Sequence, residues 1–166
     1  MQQDINRLSD SISIQTGLVS DLLRLALEKR QAIILGNLNE LNEIMRRENQ
    51  LVRSLQMAET QRQGAALDVA RQLGIEESKL TASLLVDALQ RIGVVDSRRL
   101  SEEVEELAFN LDRLKEVNQA NAELLEQSLA FIESVEALLT RQRETTYSAG
   151  GSVKDGPARS VLDKRI

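Results

Sequence analysis

Along residues 97–143, seam positions recur at alternating steps of four and three: Leu100, Val104, Leu107, Leu111, Leu114, Asn118, Asn121, Leu125, Ser128, Ile132, Val135 and Leu139. That spacing predicts one long amphipathic helix with a coiled-coil period. At ~1.5 Å per residue it would run roughly 70 Å, longer than a domain of this size is wide. Three of the seam positions, Asn118, Asn121 and Ser128, are polar and fall in the C-terminal half.

Two further helices are predicted upstream. Residues 5–35 carry the seam Ile5, Leu8, Ile12, Val19, Leu22, Ala26 and Ile33, interrupted by Gln15 and Lys29, with Gly17 inside. Gly36-Asn37 marks a tight turn, with Asn37 or Asn39 able to cap the next helix, which should fold back antiparallel. That second helix spans residues 38–73 with an apolar face through Leu41, Ile44 or Met45, Leu51 or Val52, Leu55, Ala58, Ala65 or Ala66 and Val69, and ends at Gly74. Glu48 and Arg62 fall on or beside its seam. The simpler expectation is that both stems reach out to water; the alternative is a buried ionic contact to another helix. Glu59 and Arg62 have the spacing of a surface pair. A short third helix, residues 79–92, is apolar on a face too wide to leave in water, and should close one end of a bundle. Gly93 stops it, and Asp96 or Ser97 caps the long last helix.

Composition narrows the class. Leucine dominates, aromatics are reduced to Phe109, Phe131 and Tyr147, and the single proline is Pro157. The expected fold is all-α: an elongated antiparallel helical hairpin or bundle with a long C-terminal coiled-coil-like helix and a flexible tail. Residues 1–144 form the helical domain, and residues 145–166, which include Gly150, Gly151 and Ser152, form the tail. The net charge is −5, and the tail's Lys154, Arg159, Lys164 and Arg165 outnumber its Asp155 and Asp163, so the acidic excess lies in the body. An acidic body disfavours nucleic acid, whose phosphates need clustered cations.

No apolar run approaches the ~20 residues of a spanning helix, and the first residues lack the pattern of a secretory leader. The expectation is a cytoplasmic protein with no direct membrane insertion. With no cysteine and no histidine, thiolate and imidazole nucleophiles and the usual zinc sites are excluded. Glu102, Glu103, Glu105 and Glu106 point around the last helix instead of converging, which favours solvated charge near the helix start over a metal site. Gly17, Gly36, Gly64, Gly74 and Gly93 are scattered singly at helix interiors or ends, so no phosphate-cradling loop is expected. No enzyme activity, metal or cofactor is expected.

What remains is a helix that offers its face to another helix. Two readings stay open for Asn118, Asn121 and Ser128. Polar seam residues set register and oligomer state, or they hydrogen-bond a cargo helix that also meets Leu124, Leu125, Phe131, Ile132, Val135 and Leu139. Tyr147 is either an ordinary ring packed at a helix end or a docking residue.

Several features together resemble the FlgN family of flagellar export chaperones. They are Leu18-x-x-x-Leu22-Leu23 leading through Glu28 to Ala32, then Gly36-Asn37-x-Asn39-x-Leu41, then Glu48, Leu51, Leu55 and Glu59-x-x-Arg62. Asn118-x-x-Asn121-x-x-Leu124-Leu125 and Tyr147 followed by Gly150-Gly151 complete the set, which spans residues 18–151. The resemblance implies cargo among the hook–filament junction proteins of the FlgK and FlgL type, held by their C-terminal helical segments, kept from premature assembly and delivered to the export gate protein FlhA. It places cargo binding on the second half of the long helix, at Asn118, Asn121, Leu124, Leu125, Ser128, Ile132, Val135 and Leu139, and gate docking at Tyr147. Two rival expectations are a self-associating structural coiled coil and a regulatory helical-bundle binding module.

Overall fold

The computed structural model describes residues 1–148 of the chain, and the side chains of residues 1–140. Four α-helices follow one another: α1 (Gln2–Leu35), α2 (Leu38–Gln72), α3 (Ala82–Arg91) and α4 (Ser97–Ser148), with a 3₁₀ turn at Glu77–Lys79 before α3. Among the described residues there is no strand, and the fold is all-α as expected. Two compact units divide at Leu125 and Glu126, within α4. Residues 149–166, most of the expected tail, lie outside the described residues.

Local chemistry sets the helix ends. Gly36 adopts φ 64°, the left-handed conformation that only glycine enters freely, and the Asn37 amide returns to the Ala32 carbonyl at 2.9 Å. Asn37 then caps α2, its side-chain oxygen accepting from the Glu40 amide at 3.2 Å. The third helix is shorter than its apolar pattern predicts. Leu80 and Thr81 are extended, and the Thr81 hydroxyl caps α3 by accepting from the Leu84 amide at 3.1 Å.

Within Met1–Leu125, side-chain contacts fix how the helices run. Asp4 meets Gln72, Gln15 meets Glu59, and Lys29 meets Glu48, so residue numbers rise on α1 as they fall on α2. The hairpin is antiparallel, as a two-residue turn demands. Against α4 the offset is constant: Gln2 bonds Asp96, Ser9 bonds Glu103, and Asn121 bonds Ala26, with separations of 94, 94 and 95 residues. α4 therefore runs parallel to α1.

The larger core lies where four helices meet. Ile5, Leu8 and Ile12 of α1 pack with Ala66 and Val69 of α2, Leu85 and Leu89 of α3, and Leu100 of α4. The expectation that the short helix closes one end of the bundle is met there. A smaller cluster, Leu25, Ala32 and Ile44, sits toward the Gly36 turn.

Two expectations need correction. Glu48 does not reach out to water. The Lys29 ammonium donates to both of its carboxylate oxygens, at 2.8 and 2.9 Å, with the two side chains 18% and 17% exposed. Both seam interruptions are thereby explained, because Gln15 likewise donates to Glu59 across the hairpin at 2.8 Å. Glu59 and Arg62 are consequently more than a surface pair: the guanidinium grips both carboxylate oxygens at 2.8 and 2.7 Å while Gln15 ties them to α1.

The seam of α4 also shifts. Leu107, Leu114 and Asn121 face inward as expected, but the second set of covered positions is Asn110, Val117 and Leu124 instead of Leu111, Asn118 and Leu125. The physical reason is the number of neighbours. α1 is the long partner of this stretch, and it covers one flank of the seam and leaves the other bare.

Candidate functional site

Past Leu125, α4 is built from strong helix formers (Glu, Gln, Leu, Ala), which hold its helical backbone by propensity. Its apolar side chains are nonetheless uncovered. Leu129, Phe131, Ile132, Leu138 and Leu139 are all more than half exposed, Phe131 reaching 68%. Leu129, Ile132 and Leu139 follow helical steps along one stripe with partly buried Val135, and Phe131 and Leu138, seven residues apart, widen it. Contiguous exposed apolar surface of this kind marks an interaction site. Glu126, Glu133 and Glu136 flank the stripe.

The expected cargo residues divide by environment. Leu125, Ile132 and Leu139 are exposed, and Leu124, Ser128 and Val135 are half-buried. Asn118 is exposed. Asn121 is not available at all: it is 2% exposed, and its Nδ2 donates to the Ala26 carbonyl at 2.7 Å. Of the two readings open for this residue, that geometry supports register. The Tyr147 side chain lies outside the described residues.

Leu129 and Leu138 carry exposure that the seam pattern missed. The signal was present, since each stands beside the seam at helical spacing, but a strict seam counts only two columns and passes over the two that hold Leu129 and Leu138. Among the described residues no cluster of acidic side chains is placed to hold a metal ion, and no helix is long and apolar enough to cross a membrane. An uncovered amphipathic surface can bury an apolar helix without covalent chemistry.

A family model described as FlgN protein matches residues 1–155. The chain belongs to the FlgN family. The match extends on both sides of the 18–151 span that carried the resemblance, so the N-terminal turns of α1 belong to the family pattern too. FlgN proteins are flagellar export chaperones, and this chain is accordingly a chaperone of flagellar export substrates. Comparison with curated proteins and with solved structures gives no match.

Proposed function

We propose that this FlgN-family chaperone works in the cytoplasm, binding the C-terminal helical segments of hook–filament junction proteins of the FlgK and FlgL type. Binding would keep those segments from assembling early and bring them to the export gate protein FlhA. The observation that supports this most is the uncovered stripe Leu129, Ile132 and Leu139, widened by Phe131 and Leu138. An amphipathic cargo segment that orders on this stripe buries apolar surface on both partners. Such ordering costs about 2–5 kcal/mol of the gross interaction energy, which keeps the cargo releasable. Leu124, Leu125, Ser128 and Val135 continue the same reading along α4. Tyr147 is assigned to gate docking.

The test is equilibrium binding of synthetic C-terminal segments of junction proteins to the wild type and to the variant Leu129→Ser/Ile132→Ser/Leu139→Ser. The reading expects saturable binding by the wild type and its loss in the variant, with helical circular dichroism unchanged. Equal binding by both would remove the stripe from the cargo site. For the gate, Tyr147→Ala should keep cargo binding and lose capture by FlhA; loss of cargo binding instead would overturn that division of roles.

A further inference from the structure

Within Met1–Leu125, α3 sits at the corner where α2 and α4 meet over Leu8 and Ile12 of α1. It has only ten residues, whereas its neighbours continue far beyond it. Two columns of side chains, each with a seven-residue repeat, show where the cover ends. On α2 the column runs Leu73, Ala66, Glu59, Val52, Met45. Beside α3, Leu73 is packed against the core and Ala66 is 6% exposed; beyond it, Val52 and Met45 rise to 41% and 48%. On α4 the column runs Ser97, Val104, Leu111, Asn118, Leu125. Ser97 is buried and Val104 packs against the core, while Leu111, Asn118 and Leu125 are exposed.

The two bare halves face the same corner. Leu85 and Val86 of α3 share one cavity of about 410 Å³ with Ala66 of the first column and Val104 of the second, which shows that both columns look toward α3. The hydrogen-bonded pairs Lys29–Glu48 and Ala26–Asn121 set α2 and α4 level with each other. On that register Val52 stands near the level of Asn118, and Met45 near that of Leu125.

We infer that this open corner seats an amphipathic helix of the export substrate, lying between α2 and α4 in line with α3. The inference rests on the chaperone reading above and adds a second surface to it. Three observations favour such an occupant. The chain already seats an amphipathic helix of its own on the same two columns, so the empty length is a continuation of an existing helix-binding site. Leu111 to Leu125 offers room for about 14 residues, or ~21 Å of helix. The α2 bank is uncharged where a helix would approach, with Asn42, Asn49 and Gln56, and the α4 bank is small at Ala108 and Ala122 with one charge, Lys115, between them. A helix with a leucine-type stripe, an uncharged polar flank toward α2 and an acidic side chain toward Lys115 is the complement of that lining.

The chain has no cysteine, so a single Val52→Cys variant can carry an environment-sensitive fluorophore at the corner, with Arg53→Cys as an outward-facing control. The probe ligand is the synthetic C-terminal segment of a junction protein. The expected result is a blue shift at position 52 but not at 53, together with about tenfold weaker binding of the unlabelled Val52→Glu variant at unchanged thermal midpoint. Wild-type binding of the segment with neither response would overturn the corner site while leaving the stripe on α4 intact. A shift that depends on protein concentration without the segment would assign the corner to a second copy and overturn the inference. Absence of any wild-type binding would overturn both readings.

Discussion

The carboxamide of Asn121 reaches across to α1 and donates to the carbonyl of Ala26, 95 residues earlier in the chain, at 2.7 Å. Its own Oδ1 is buried without a hydrogen-bond partner. The contact therefore specifies one alignment of α4 on α1 while leaving a polar atom unsatisfied, which is the known trade of a polar residue at a seam. Asn121→Leu is expected to stabilise the protein by about 1 kcal/mol, because it removes the unsatisfied oxygen and adds apolar burial. Urea unfolding checks this, and cargo affinity should stay unchanged. Asn121→Asp places an unpaired charge in the same spot and should cost about 3 kcal/mol or more.

Lys29 and Glu48 repeat the theme with charges. Both side chains are less than a fifth exposed, so removing one leaves the other poorly solvated. Lys29→Met should cost about 2–3 kcal/mol. The double variant Lys29→Met/Glu48→Leu should recover most of that loss, since two apolar side chains of similar volume replace the pair. A double-mutant cycle in urea measures both values. If the single variant is neutral, the contact is too well hydrated to matter.

Much of this fold is legible in the sequence, and the illegible parts share a cause. Gly36, Gly74 and Gly93 mark helix ends because each needs positive φ, and Asn37 announces its cap. Whether Glu48 meets water or Lys29 depends on the register between two helices, which periodicity within one helix does not contain. The same holds for α4. The positions Leu107, Leu114 and Asn121 belong to either phase of the seam, and each flank pairs two apolar side chains with one asparagine: Leu111, Leu125 and Asn118 on one, Val117, Leu124 and Asn110 on the other. Which flank is covered was decided by the shortness of α3, a property of a different segment. The exposed stripe was half legible: Ile132, Val135 and Leu139 follow the seam, but Leu129 and Leu138 lie off it.

Acid should find one identifiable weak point. Hydrogen bonds from Arg62 hold the Glu59 carboxyl well below its ordinary range, at about 2, with Gln15 and Gln63 adding donors and partial burial opposing them. A depressed folded-state value means that the contribution is fully present above the unfolded value of 4.5 and fades as pH falls toward about 2. Because Glu59 is partly open to solvent, screening reduces the effect to about 1 kcal/mol. Glu59→Gln should therefore be less stable than wild type at pH 7 by about that amount, and the gap should close by pH 2. Chemical denaturation at several pH values checks it; a constant gap would mean that lost geometry, not lost charge, destabilises the variant.

The revised seam of α4 makes the sharpest stability contrast. Leu107 packs against the main core, whereas Leu111, its neighbour one turn on, is 42% exposed. Truncating a covered leucine removes apolar burial and leaves a void that its surroundings fill only in part. Leu107→Ala should accordingly cost about 2 kcal/mol. At position 111 the lost methyl groups were already half in water and no void forms, so Leu111→Ala should cost about 0.5 kcal/mol or less. Urea midpoints of the two variants give the comparison. Equal losses would mean that both flanks of the seam are covered in solution, and the corner between α2 and α4 would then already be filled in the free protein.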